Sequence, residues 1–206
     1  MAKSRISQRS EDISPFHVMD ILAQAKKLEA QGKDIIHMEV GEPDFDTPQP
    51  IIDAGIEALK AGKTHYTPAL GLPELREAIA NWYKTQYQVD VSPRRIVVTP
   101  GASGALLLIM GALLERDKKV LLADPGYPCN RNFARFVEGK AQSIAVGETS
   151  NFQLTAQHIN DHWDNDTAVA LVASPSNPTG TVLSQQELRD LSVAIKNKNG
   201  HFVVDE

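Results

Sequence analysis

Residues 167–180 read TAVALVASPSNPTG, and this stretch decides the fold class. Its first half, Thr167–Ala173, is apolar almost throughout, which is typical of a strand that is covered on both faces of its sheet. Its second half, Ser174–Gly180, holds two prolines that predict a rigid turn at the carboxyl end of that strand. A second apolar run, His201–Val204, repeats the strand signal near the end of the chain. Strands of this kind indicate a parallel sheet.

Helical and strand-like segments alternate on the amino-terminal side of this stretch. Apolar residues at three- and four-residue spacing predict helices between short β-rich runs. Such alternation favours an α/β fold of three layers, α/β/α, with a mostly parallel sheet and helices on either side. The predicted helices are 15–31, 48–61, 72–87, 102–115, 129–138, 155–163 and 184–198, and the other predicted strands are Arg95–Thr99, Lys119–Ala123 and Ala141–Val146.

The first 47 residues read differently from the rest. They contain an arm, a helix rich in Ala, Leu and Lys, a short strand at Ile35–Val40 and a turn-rich segment. We therefore predict that residues 1–47 form an N-terminal arm and part of a smaller domain, and that 48–206 form a larger domain. Because a natural domain rarely ends on a central strand with no covering helix, we expect the larger domain to be truncated at its C-terminal side.

Composition argues against several classes of partner. The net charge is −5, with Lys and Arg scattered along the chain, so no basic surface for a nucleic acid is predicted. The longest apolar run, Ala105–Leu114, is far shorter than the roughly 20 residues of a membrane span. The polar N-terminus lacks the apolar core of a secretory signal, and the single cysteine, Cys129, has no internal disulfide partner. We expect a cytoplasmic protein.

A metal site is also not predicted. His158 and His162 lie four residues apart on a predicted helix, a spacing that could bind a metal. The segment lacks the HExxH pattern, and its polar neighbours are typical of a solvated helix face.

The candidate site lies at the strand ends, because ligands of open parallel sheets bind beyond the carboxyl ends of the strands. After strand 95–99, the small residues Gly101, Ala102 and Ser103 begin a helix whose N-terminus could bind an anion. The alternative is a tight turn in which Ser103 caps the helix.

Tyr127 and Asn177 follow two other strands. Tyr127 lies in a turn between two prolines, where its ring could lie flat against a planar heterocycle; alternatively it packs that loop onto the core. Asn177 lies between Pro175 and Pro178, where its amide could donate to a phenolate oxygen; the alternative is an Asx turn.

Asp205 ends the last apolar strand. A carboxylate there is costly to bury unless a cation meets it, and a protonated ring nitrogen would serve. The alternatives are a helix cap and a surface salt bridge.

Together these four sites resemble the fold-type I pyridoxal-phosphate enzymes, specifically class I/II aminotransferases of the aspartate aminotransferase type. Two more segments carry the resemblance, GEPDFDTP at 41–48 and HYTPALGLPELR at 65–76, and the similarity runs from residue 14 to residue 206 in family order. The resemblance implies the large domain of that fold, incomplete, with an N-terminal arm and part of the small domain. One departure is Asn130, where many relatives have an aromatic residue.

The resemblance also implies roles for individual residues. Pyridoxal 5'-phosphate would be the cofactor, and an amino acid and a 2-oxo acid would be the substrates. Tyr66 would reach the phosphate held by the neighbouring subunit of a homodimer, and Gly41 would face the substrate carboxylate. Of the residues already discussed, Gly101, Ala102 and Ser103 would cradle the phosphate, Tyr127 would stack on the ring, Asn177 would hold the phenolic oxygen and Asp205 would pair with the ring nitrogen.

The lysine that forms the Schiff base in this family is expected beyond Glu206, so no residue here is assigned as catalytic and the chain alone is expected to be inactive. A carbon–sulfur β-lyase on the same fold is the nearest alternative. A non-catalytic aminotransferase-like sensor or an inert remnant are others, although the basic winged-helix segment of such sensors would find no room before residue 14. If the resemblance holds, strands encoded beyond residue 206 should lie between the 201–204 and 95–99 strands.

Overall fold

A computed structural model describes residues 6–206 of the chain. Its centre is a four-stranded sheet in which every neighbouring pair is parallel, with the strand order β2-β1-β3-β4. The strands are β1 (Lys119–Asp124), β2 (Lys140–Ala145), β3 (Thr167–Ala173) and β4 (His201–Asp205). The predicted parallel sheet is confirmed.

The helices agree closely with the apolar periodicity of the sequence. All seven predicted helices are observed; the short α1, in the polar sequence RSED, has no such periodicity and was not predicted. The helices are α1 (Arg9–Asp12), α2 (His17–Glu29), α3 (Gln49–Lys60), α4 (Pro73–Tyr87), α5 (Gly101–Leu113), α6 (Cys129–Phe136), α7 (Ala156–His162) and α8 (Gln185–Asn197), with single 3-10 turns at Pro93–Arg95 and Glu148–Ser150.

Two apolar clusters lie on opposite faces of the sheet. Alternate strand residues point to opposite faces, so Val120 belongs to one cluster and its neighbour Leu121 to the other. Leu106 and Met110 of α5 pack in the first cluster, and residues of α7 and α8 pack in the second. The three-layer α/β/α architecture is therefore confirmed.

Hydrogen bonds define the beginnings of α7 and α8. The Ser184 hydroxyl accepts from the backbone N–H of Glu187 at 3.2 Å, and the Glu187 carboxylate accepts from the N–H of Ser184 at 2.7 Å. At α7, the Thr155 hydroxyl accepts from the N–H of His158. These reciprocal bonds satisfy donors that have no partner within the helix, and so determine where each helix begins.

Two predicted strands are not observed, and both predictions were wrong for the same reason. Ile96 has extended dihedral angles, yet residues 96–99 join no ladder within the described chain. Val97 and Val98 remain partly exposed, and the N–H of Val98 donates to Leu70 instead. The segment 35–40 likewise joins no strand in the described residues. Extended backbone becomes a strand only when a neighbouring strand completes its hydrogen bonds.

The described chain divides into two compact units. One comprises residues 17–100, and the other comprises 6–16 together with Gly101–Glu206, which includes the sheet. The domain boundary expected near residue 48 stays a prediction.

Candidate active site

The carboxyl edge of the sheet carries the candidate site. The register pairs Ala173 at the end of β3 with Asp205 at the end of β4. The carbonyl of Asp205 accepts from the N–H of Ser174 at 2.9 Å. Asp205 therefore lies beside the first residue of the loop 174–180, which holds Asn177.

The turn after β1 presents Tyr127. A Cβ at Gly126 would lie 2.5 Å from the carbonyl oxygen of Ala123, so only glycine fits where this turn folds back on its strand. The Tyr127 ring is partly buried, and the Phe16 ring packs edge-on against it with 6.0 Å between centroids. The ring is thus held by both its backbone and an aromatic neighbour.

The electrostatic surroundings of Tyr127 connect it to two other predicted site residues. Hydrogen bonding with Cys129 and burial raise the pKa of the Tyr127 hydroxyl, and the charge of Asp205 raises it further. A hydrogen bond with Ser103 acts in the opposite direction. The structure therefore brings Ser103, Tyr127 and Asp205 together, as the convergence of strand ends predicted.

The loop that carries Asn177 is closed by its own hydrogen bonds. The N–H of Ser176 donates to the carbonyl of Thr181 at 2.8 Å, and the N–H of Gly180 donates back to Ser176 at 2.7 Å. The hydroxyl of Ser174 accepts from Leu183 at 2.9 Å. Asn177 is exposed at the outer side of this loop.

A small cavity lies between the Tyr127 turn and the Asn177 loop. Its volume is about 30 Å³, enough for a water molecule and far too small for a cofactor ring, so it lies beneath the crevice. The carboxamide oxygen of Asn130 is buried and has no partner in the described residues. The polar residues that line the cavity are Tyr127, Asn130, Arg131, Ser143, Gln153, Ser176 and Asn177.

The start of α5 has the character of an anion cradle. Gly101 has a φ of +74°, a left-handed conformation that glycine adopts without strain, and a Cβ there would meet no other atom within 4 Å. Gly101, Ala102 and Ser103 are exposed, and no acidic residue lies in the first turn. A helix N-terminus of this kind favours a phosphate group.

These groups fit the chemistry of pyridoxal 5'-phosphate. An anion cradle, an aromatic ring, an amide and a carboxylate all belong to the unit that contains the sheet. The other two predicted residues, Gly41 and Tyr66, lie in the unit 17–100, where both are exposed. Their roles stay predictions.

Sequence reasoning missed Gln153, which is buried and hydrogen-bonded to both ends of the Asn177 loop. The only signal was a polar side chain between Phe152 and Leu154. Conversely, His158 serves to cap α7, and the residues from 6 to 206 hold no group of three or more His, Cys, Asp or Glu side chains placed to bind a metal.

Comparison with known proteins decides the family. The model of the family "Aminotransferase class I and II" matches residues 33–206. This chain belongs to that family. The expected resemblance to the class I/II aminotransferases is confirmed over most of the sequence.

Curated relatives in the class I and II aminotransferase family are similar over nearly the whole chain. A (5-formylfuran-3-yl)methyl phosphate transaminase of Methanocaldococcus jannaschii is 41% identical, over 88% of this chain and 47% of its own length. A probable aspartate aminotransferase of the same organism is 38% identical, over 98% and 52%. The chain thus spans about half the length of the curated relatives it matches.

Solved structures of aminotransferases share the fold. An aminotransferase from Mycobacterium tuberculosis superposes with a TM-score of 0.94 at 34% identity, over 99% of this chain and 52% of its own. The aspartate aminotransferase of Thermus thermophilus with maleate has a TM-score of 0.93 at 30% identity, over 98% and 53%. Within the described residues, no helix of this family member is long and apolar enough to cross a bilayer.

Proposed function

We propose that the intact protein is a pyridoxal-phosphate-dependent aminotransferase, which transfers an amino group between an amino acid and a 2-oxo acid. The observation that carries the proposal is the grouping of Ser103, Tyr127 and Asp205 at the carboxyl edge of the sheet. Relatives named as aspartate, valine–pyruvate and (5-formylfuran-3-yl)methyl phosphate transaminases support amino transfer and differ in their substrates. The proposal therefore concerns the reaction type.

Pyridoxal 5'-phosphate, when bound, supplies an electron sink for the electrons left on the substrate when its α-proton departs. The backbone N–H groups of Ala102 and Ser103 lie in the first turn of α5, which leaves them without intrahelical acceptors. With Gly101, they bind the phosphate and use the positive end of the helix dipole.

Three side chains orient the ring. Tyr127 stacks on one face of the ring, and Phe16 packs on Tyr127 to limit its movement. Asn177 donates its amide to the phenolic oxygen. The carboxylate of Asp205 pairs with the ring nitrogen and keeps a proton there, because a negative charge nearby raises the proton affinity of that nitrogen.

Two residues of the unit 17–100 complete the site in a homodimer. Tyr66 is fully exposed, as a side chain that acts on a neighbouring subunit must be before assembly. Its role is to reach the phosphate that the partner subunit holds. Gly41 is exposed, and a Cβ there would meet open space, so its backbone is accessible to a substrate carboxylate.

The catalytic lysine is proposed to lie beyond Glu206, so residues 1–206 alone would not transaminate. Lys119 pairs with Asp164, and Lys196 and Lys198 lie at the end of α8, where the helix dipole favours a cation. The protein is proposed to work in the cytoplasm, since its single cysteine, Cys129, is free.

The experiment that tests this proposal separates transfer from elimination. The intact protein with pyridoxal 5'-phosphate would be incubated with single amino acids in the presence and absence of 2-oxo acids, and the products measured by chromatography. We expect each 2-oxo acid produced to be matched by one amino acid formed from the acceptor. Release of pyruvate, ammonia and a thiol from an S-substituted cysteine, without any acceptor, would instead identify the carbon–sulfur β-lyase.

A further inference from the structure

Gln153 is a buried amide in apolar surroundings. Its exposed fraction is 2%, and its neighbour Leu154 is fully buried in the core. Burying an amide is costly unless hydrogen bonds replace those to water. The contacts of this side chain are therefore unlike those of a surface glutamine such as Gln157, which bonds within its own helix.

The Gln153 amide joins the two ends of the Asn177 loop. Its Nε2 donates to the carbonyl of Ala173 at 3.0 Å and to the carbonyl of Thr181 at 3.1 Å, with the Thr181 hydroxyl at 3.3 Å. Ala173 is the last residue of β3, and Thr181 follows Gly180 directly. One side chain, 20 to 28 positions away, thus determines the distance across the base of the loop.

The backbone before Gln153 is held in an uncommon conformation. Asn151 and Phe152 both have positive φ, at 51° and 54°, which is unfavourable for a bulky aromatic residue. The N–H of Phe152 donates to Gly147 at 2.8 Å, and that of Gln153 donates to Ser150 at 3.0 Å. This turn directs the Gln153 side chain inward, and such local strain persists where the surroundings hold it.

We propose that Gln153 is a positioning residue for Asn177. This inference rests on the proposed function, in which Asn177 donates to the phenolic oxygen of the cofactor. Gln153 touches neither cofactor nor substrate; it holds the ends of the loop at the separation that places the Asn177 amide.

The chemistry of the position requires a long side chain with donors. Methionine has a similar length and fills the space but donates nothing. Glutamate has the same shape, yet its carboxylate would face the carbonyls of Ala173 and Thr181, acceptors that raise its pKa and favour the acid form. That acid form donates one hydrogen bond where the amide of Gln153 donates two.

The test is a pH titration of the cofactor's visible absorption band in the intact protein. A hydrogen bond from Asn177 stabilises the anionic oxygen, so its loss in Asn177→Ala should raise the apparent pKa of the band by about one unit. Gln153→Met should raise it in the same direction, and Gln153→Glu by less. Gln157→Met, which removes a surface amide, is the matched control and should titrate as the wild type.

The outcomes separate the two proposals. A wild-type protein with no such band contradicts the proposed function itself. A wild-type band that shifts in Asn177→Ala but not in whichever Gln153 variant folds and binds the cofactor overturns the positioning role. A purely structural role would lower the melting temperature of the Gln153 variants and leave the titration unchanged.

Discussion

Asp205 is the residue on which the proposed chemistry depends most. It follows the apolar residues of β4, it is only partly exposed, and its charge reaches the Tyr127 hydroxyl. A carboxylate in such a position is stabilised when a cation binds beside it. A protonated pyridine ring supplies that cation without any further protein group.

Substitution of Asp205 by asparagine tests this role. Asp205→Asn keeps the shape but removes the charge that holds the proton on the ring nitrogen. We expect kcat for transamination to fall by on the order of a hundredfold or more, as when one charge-stabilising group of an active site is removed. Asp161→Asn, at an exposed position of α7, is the control, and equal activities of the two variants would contradict the assignment.

His37 gives a prediction for pH dependence. Its Nε2 lies 2.8 Å from the Glu29 carboxylate of α2, and its Nδ1 lies 2.6 Å from that of Glu39. Hydrogen bonds with Glu39 and then Glu29 raise the pKa of His37 above its ordinary value of 6.5. A raised pKa means that this link is complete below pH 6.5 and is lost as the pH rises through the folded-state value.

An NMR titration of His37 checks this prediction. Glu39→Gln should bring the midpoint back toward 6.5, because the larger of the two interactions is removed. Glu42→Gln, at an exposed position of the same segment, should leave the midpoint where it is. A wild-type midpoint at or below 6.5 would contradict the described link.

Single residues also show how far the sequence can be interpreted. Ser103, Tyr127 and Asp205 could be predicted because each directly follows a strand or begins a helix, and strand ends meet at one edge. Gln153 could not, because its partners Ala173 and Thr181 are distant in sequence. Only the packing of the folded chain reveals that a buried amide joins them.

At the scale of elements, the turn after β1 positions the aromatic ring. Gly126→Ala would place a Cβ 2.5 Å from the carbonyl of Ala123, a backbone atom that cannot move independently of β1. We expect the turn to shift and Tyr127 with it, which should weaken cofactor binding about tenfold, since a displaced stack loses about 1 kcal/mol. Fluorescence or absorbance titration with pyridoxal 5'-phosphate measures the effect.

Gly147→Ala is the matched control for this turn. Gly147 has extended dihedral angles that alanine adopts, and a Cβ there would meet nothing within 4 Å. Its cofactor affinity should equal that of the wild type. An unchanged affinity in Gly126→Ala as well would show that the turn does not determine the position of Tyr127.

The strand predictions succeeded and failed for one physical reason. β3 and β4 were predicted correctly because each finds a neighbour within the described chain. Residues 96–99 have the same β-rich composition but no pairing strand there. Composition reports a preference for extended backbone, whereas a strand also needs a partner, which a local pattern does not contain.

At the scale of the whole molecule, β4 is an edge strand of the sheet formed by the described residues. Its apolar sequence is typical of an interior strand, whereas the opposite edge, β2, is more exposed. We expect a further strand to pair with β4 in the intact protein. Hydrogen exchange of that protein should then show β4 amides as protected as those of central β1, and about a hundredfold slower than the outward amides of β2. Equal exchange in β4 and β2 would contradict this arrangement.

The most direct test of the central claim is a crystal structure of the intact protein with pyridoxal 5'-phosphate. We predict the phosphate at the start of α5, the ring on Tyr127, and the ring nitrogen about 2.8 Å from a carboxylate oxygen of Asp205. A cofactor bound away from the carboxyl edge of the sheet, or an Asp205 carboxylate that faces no part of the ring, would contradict the account.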